Sequence, residues 1–69
     1  MEEIRFDSEY ITLGQLLKMT DTISSGGMAK WFLSENEILI NGEQDQRRGR
    51  KLRSGDKIEI LGLDTYILI

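Results

Sequence analysis

Residues 38–60, "ILINGEQDQRRGRKLRSGDKIEI", decide how this chain folds. The stretch opens with an apolar triplet that runs into Asn41-Gly42. That dipeptide is the strongest short hairpin signal, because both turn positions need positive φ and Asn and Gly adopt it most readily. A strand ending at Ile40 is therefore expected to turn back through a polar, basic return over residues 43–51. Ser54-Gly55-Asp56 reads as another turn. "KIEI" then alternates, with Ile58 and Ile60 inward, the period of a half-buried strand. "DTYILI" closes the chain as a strand rich in β-formers.

Before this stretch the sequence reads as one short strand and two helices. Residues 2–7, "EEIRFD", alternate as a short half-buried strand, with Ile4 and Phe6 on one side. In "YITLGQLLKMT", Thr12 and Gln15 have capping-box spacing, so each satisfies the other's orphan backbone N–H. Ile11 before the cap and Leu16 after it form a hydrophobic staple. A helix over residues 13–19 follows, with Leu13, Leu16 and Leu17 on one face and Gly14 as a slight weakness. "DTISSGGMAKWFLSENE" reads as a turn and a second helix. Ser24 or Ser25 is the expected N-cap. Ala29, Phe32 and Leu33 should face the core, and Asn36 should end the helix in the left-handed region. Two short helices on a tight link imply a helix hairpin.

The fold class is α+β: two short packed helices against a small antiparallel β-sheet. Its expected core is Phe6, Leu16, Leu17, Phe32, Leu33, Ile38, Ile40, Ile58 and Ile60. Trp31 lies one position off the helical stripe and is expected at the core edge; the alternative is an exposed ring on which a base or sugar stacks. Tyr10 and Tyr66 carry no discriminating signal.

Sixty-nine residues make one domain, residues 1–69. A domain of this size buries only ~60% of its unfolded surface, and with no cysteine it has no disulfide to help it. No apolar run approaches the ~20 residues of a membrane-spanning helix. The acidic N-terminus has no signal-peptide hydrophobic region. The expectation is a cytoplasmic protein, a monomer, with no membrane partner.

Charge is unevenly spread. The chain holds 9 basic and 12 acidic residues, net −3. Residues 44–57 alone hold six basic and two acidic residues, net +4. The remainder is net −7, so the sequence is a dipole. Arginine in such a cluster presents a planar fork that fits phosphate oxygens. The other reading is a solvated hairpin whose charges protect a sheet edge.

Catalytic chemistry finds little support. There is no histidine, the usual general base near neutral pH, and neither histidine nor cysteine to hold a transition metal. The carboxylates are scattered, and Ser24 and Ser25 have no base partner. No enzyme, metal, cofactor or small-molecule substrate is expected. "SSGG" has the composition of a phosphate-binding glycine loop without a Walker or GxGxxG pattern. Its backbone N–H groups at a helix start still favour an anion; the alternative is a helix start that needs close backbone approach.

In order, "LGQLLK", a Ser-containing turn, "AKWFLSEN", "ILINGE", a basic return and "RSGDKIEI" resemble the RNA-binding domain named after ribosomal small-subunit protein S-four, the alpha-L RNA-binding motif. That family's "V-x-V-N-G" strand reads here as residues 38–42, and its "G-D-x-I" turn and strand as residues 55–58. The resemblance covers about residues 12–61. "SGGMAKWFLSEN" and "NGEQDQRRGRKLRSGD" most resemble the small stand-alone bacterial YaaA-like members. The resemblance implies a non-enzymatic binder of structured RNA, ribosomal RNA or a ribosomal subunit, acting as a ribosome-associated or assembly factor. A protein-interaction module that kept the fold but lost RNA is the alternative.

The RNA contacts expected are Arg47, Arg48, Arg50, Lys51 and Arg53. Lys30, on the side of the second helix away from its apolar stripe, joins them. So do Ser25, Gly26 and Gly27 at its start. Many members of the family carry an arginine after that serine; here glycines shift the contact to backbone N–H groups and Lys30. Lys18 is a weaker candidate, and Lys57 flanks a strand. Gly49 is read as relaxing the backbone for a turn or bulge. The acidic remainder would repel RNA from the wrong faces and fix orientation.

Overall fold

The hairpin forms at the expected place. Asn41 and Gly42 both have positive φ, 53° and 86°, joining strand β3 (Ile38–Ile40) to β4 (Glu43–Gln44) with Ile40 opposite Glu43. The computed structural model describes all 69 residues, Met1–Ile69. Its other elements are β1 (Glu2–Ile4), β2 (Ile11–Thr12), α1 (Leu13–Met19), α2 (Ala29–Glu35), β5 (Lys51–Leu52), β6 (Lys57–Ile60) and β7 (Thr65–Leu68). A 3-10 turn, Gly26–Met28, precedes α2.

Five strands form one sheet in the order β1-β7-β6-β3-β4, and β2 pairs with β5 in a separate two-stranded ribbon. The α+β class holds. Four strands of the main sheet run antiparallel, while β1 joins parallel to β7, with Ile4 opposite Leu68. Both edges of this sheet carry exposed carboxylates: Glu2 and Glu3 on β1 and Glu43 on β4. Charge on an edge strand discourages pairing with another chain.

The two motifs that carried the resemblance meet in space. The Asn41 side-chain amide donates to Asp56 Oδ1 at 3.0 Å, and Asn41 Oδ1 accepts from the Lys57 N–H at 2.9 Å. Asp56 Oδ2 in turn accepts from the Arg53 N–H at 2.8 Å across the turn. Gly55 sits in that turn at φ 94°, a backbone that favours glycine. The hairpin turn and the Gly-Asp turn thus lock one another, which fixes both ends of the basic segment.

One cluster of 15 buried side chains joins the sheet to the helices. It contains all the residues expected in the core except Phe6, which is half-buried and packs against it. Leu13, Leu16 and Leu17 of α1 are fully buried, as are Ile38, Ile40 and Ile58. Burying one such side chain is worth about 1.5–3 kcal/mol. Ile23, Leu52, Tyr66 and Leu68 complete the cluster. Trp31 lies outside it and is 59% exposed, which corrects the core-edge expectation. The stripe 29/32/33 already fills the inward face of α2, so Trp31 projects outward.

Asn36 also departs from expectation. Its φ is −130°, extended rather than left-handed. The helix end is closed by side chains instead: the Asn36 amide donates to the Phe32 carbonyl at 2.9 Å. The Gln46 amide donates to the carbonyls of Leu33 and of Asn36, the latter at 2.9 Å. These bonds satisfy acceptors that any helix leaves open at its end.

Candidate nucleic-acid interface

The basic segment is built into the fold rather than left as a solvated loop. Leu52 within it is fully buried and β5 pairs with β2, Leu52 opposite Ile11 and Lys51 opposite Thr12. The N-terminus of α1 supplies the second anchor. Thr12 caps it as expected, accepting from the Gln15 N–H at 3.2 Å while Gln15 Oε1 accepts from the Thr12 N–H at 2.7 Å. The Leu13 N–H donates to the Arg50 carbonyl at 2.8 Å and the Gly14 N–H to the Arg48 carbonyl at 2.9 Å. Helix amides without an intrahelical partner thus hold the arginine backbone in place and leave the side chains outward.

Gly14 makes that approach possible. A Cβ there would stand 2.7 Å from Arg48 Cγ and 3.4 Å from the Arg48 carbonyl oxygen. What reads in sequence as a weak spot in a helix is a close contact between helix and loop. Gly49 has no such constraint: its φ is not positive and nothing lies within 4 Å of the Cβ position. It sits in a turn closed by the Arg50 N–H donating to the Arg47 carbonyl at 3.1 Å.

Charge within the segment falls into two groups. Asp45 holds Arg47 and Arg50. Its Oδ2 accepts from Arg47 Nη2 at 2.7 Å and Arg50 Nη1 at 2.9 Å, and its Oδ1 from Arg47 Nε at 3.0 Å and the Arg47 N–H at 3.1 Å. The Asp45 side chain is only 12% exposed. Hydrogen bonds from Arg47 above all hold its carboxyl well below the usual carboxylate range, outweighing the opposing effect of burial. A depressed carboxyl contributes stability above its unfolded value and loses it as pH falls through the lower folded value. The pair is therefore intact at neutral and mildly acidic pH.

Arg48, Lys51 and Arg53 take part in none of the ion pairs. Lys51 and Arg53 instead lie over the ring of Tyr10, with Lys51 Nζ 4.9 Å and Arg53 Cζ 5.7 Å from its centroid. Such contacts orient a cation without neutralising it. Nothing local in the sequence marks Tyr10 for this role, because its partners lie far along the chain.

Two adjoining grooves run along this face. The first, about 390 Å³, is lined by Thr12, Gly14, Gln15 and Lys18 of the α1 region, by Gly26 and Ala29 at the start of α2, and by Arg48 and Gly49. The second, about 460 Å³, is lined by Arg47, Gly49, Arg50, Lys51, Arg53 and Asp56. All five residues expected from the basic run line one groove or the other, and Gly26 joins Arg48. Lys18, one helical turn from Gly14 on the same face, belongs with them; that i, i+4 spacing was the signal available in the sequence. Lys30 is exposed on α2 but lines neither groove, nor do Ser25 and Gly27.

Neither serine caps α2 as expected. Ser25 stands before the 3-10 turn with no side-chain bond, and the Ser24 hydroxyl contacts Met28 Sδ at 3.0 Å. Close backbone approach does not explain the glycines either. A Cβ on Gly26 would have nothing within 4 Å, and one on Gly27 only the Ser25 hydroxyl at 4.0 Å. The N–H groups of Gly26 and Gly27 have no hydrogen-bond partner within the chain.

A family model described as S4 domain matches residues 4–68. A protein of Bacillus subtilis (strain 168), "Probable ribosome maturation protein RlbA", is 59% identical over 66 residues, covering 96% of this chain and 93% of that protein. No solved structure matches the chain.

Proposed function

This chain belongs to the S4 domain family, and on that premise we propose that it is a non-enzymatic RNA-binding protein of the cytoplasm. In this reading it engages structured ribosomal RNA, in a ribosomal subunit or during its maturation. The similarity to a protein named for ribosome maturation supports the ribosomal setting. One observation carries the reading: the amides that open α1 bind the carbonyls of Arg48 and Arg50, so five cationic side chains face outward from a fixed backbone along two adjoining grooves.

The mechanism is positioning and charge. Phosphates lie in the groove of Arg47, Arg50, Lys51 and Arg53, beside Asp56, where the N–H groups that the cations keep free donate charge-assisted hydrogen bonds to phosphate oxygens. Arg48 and Lys18 flank the neighbouring groove, where the open amide of Gly26 offers a further donor. Backbone and shape recognition dominates over base reading, as is usual for structured RNA. If about five phosphates are neutralised, the log–log salt slope is ~ −3.5 by single-strand arithmetic. Carboxylates on both sheet edges disfavour approach from those sides.

Crosslinking in cells, followed by sequencing of the attached RNA, tests the reading. Crosslinks concentrated in ribosomal RNA and mapping to residues 47–53 are expected. A complex that survives nuclease treatment intact and yields no RNA crosslinks would instead mark a protein-interaction module.

A further inference from the structure

Asp45 stands out within the basic face. A carboxylate placed among arginines that are to meet phosphate ought to weaken the encounter. Its placement argues the reverse. The Asp45 N–H is fixed to the Ile38 carbonyl of β3 at 3.1 Å. The next residue, Gln46, is tied to the carbonyls of Leu33 and Asn36 at the end of α2. Residues 45 and 46 therefore form a post fastened to sheet and helix at once.

Both guanidinium groups hang from that post. Arg47 turns its Nε–Nη2 edge to the carboxylate and leaves Nη1 free, with 74% of its side chain exposed. Arg50 gives Nη1 to Asp45 and Nε to the Lys51 carbonyl at 3.3 Å, leaving Nη2 free. Both arginines line the polar groove, and Asp45 does not. A ligand in that groove meets the guanidinium groups in front and not the carboxylate behind.

We propose that Asp45 is a positioning residue of the RNA interface. It holds Arg47 and Arg50 side by side in the orientation that meets the phosphate backbone, so that removing its negative charge weakens RNA binding. The inference rests on the RNA-binding reading above. Two freed arginine side chains must be ordered anew on binding, which for the pair corresponds to roughly a tenfold loss of affinity. Simple charge subtraction has the opposite sign: losing a neighbouring negative charge across solvent tightens binding by roughly twofold.

The test is filter binding of the full chain to protein-free bacterial ribosomal RNA, with the fold of each variant checked by circular dichroism. Asp45→Asn is expected to weaken binding about tenfold. Glu43→Gln, which removes an exposed carboxylate outside every ion pair, should stay within about twofold. In an Arg47→Ala/Arg50→Ala background, Asp45→Asn should cause no further loss. Equal or tighter binding by Asp45→Asn alone overturns the proposal and leaves the RNA reading standing. A tenfold loss that persists without the two arginines also overturns it, since Asp45 would then act through the loop backbone. Absence of wild-type binding to this RNA defeats the RNA reading itself and the proposal with it.

Discussion

The two helices of this small fold begin in opposite ways. At the start of α1 every available amide is taken: Leu13 by the Arg50 carbonyl, Gly14 by the Arg48 carbonyl and Gln15 by the Thr12 hydroxyl. At the start of α2 no side chain caps the 3-10 turn, and the Gly26 and Gly27 amides point to no acceptor in the chain. Gly14 and Gly26 nonetheless line the same groove. One helix start builds the surface by holding the basic segment, and the other is left open on it. Unsatisfied backbone donors are tolerated where they meet solvent or a ligand.

Substitutions should separate the two ends, and the largest effect falls on the built side. Leu52 is the buried anchor of the basic segment, so Leu52→Ala should cost about 3 kcal/mol in chemical denaturation. That is a large part of the roughly 5 kcal/mol available to a domain of this length. A loss under about 1 kcal/mol would mean that the segment is not anchored there. Gly14→Val comes next. It forces Arg48 away from α1 and should cost about 2 kcal/mol by overpacking, with RNA affinity falling alongside.

The caps give a finer contrast. Thr12→Ala should lower stability by about 1 kcal/mol, whereas Ser25→Ala should stay within about 0.5 kcal/mol. Equal losses would erase the distinction between the helix starts. The smallest effect on stability is expected at the open end. Gly26→Ala meets no clash and should stabilise by roughly 0.5 kcal/mol through the unfolded chain, while crowding the exposed amides and weakening RNA binding a few-fold.

Features legible in the sequence were those made by residues close together in it. The Thr12–Gln15 box, the Asn41-Gly42 turn and the 13/16/17 and 29/32/33 stripes all follow from local spacing, and all form as expected. The basic run was visible as charge, and its place in the fold followed from the turns around it. What could not be read depends on distant partners. Gly14 answers to Arg48, Tyr10 to Lys51 and Arg53, and Gln46 to the end of α2. Propensity misleads at Asn36 and at the serines before α2: Asn36 stays extended and shares the helix end with the distant Gln46, and the serines leave the start of α2 uncapped. Leu52 was hidden by its neighbours, because one apolar residue among cations shows no period.

The central claim is that the cations of this anchored face hold RNA, and those free of acidic partners test it most cleanly. Arg48 and Lys51 are the residues to reverse. Their side chains face outward, whereas reversing Arg50 would set a new carboxylate against Asp45. The measurement is co-sedimentation of Arg48→Glu/Lys51→Glu with bacterial ribosomal subunits at low and moderate salt, beside a wild-type control and a thermal melt of both proteins. The account predicts salt-reversible association of the wild type and its loss in the variant, with the melting transition kept. Association by a folded variant as strong as that of the wild type would contradict it.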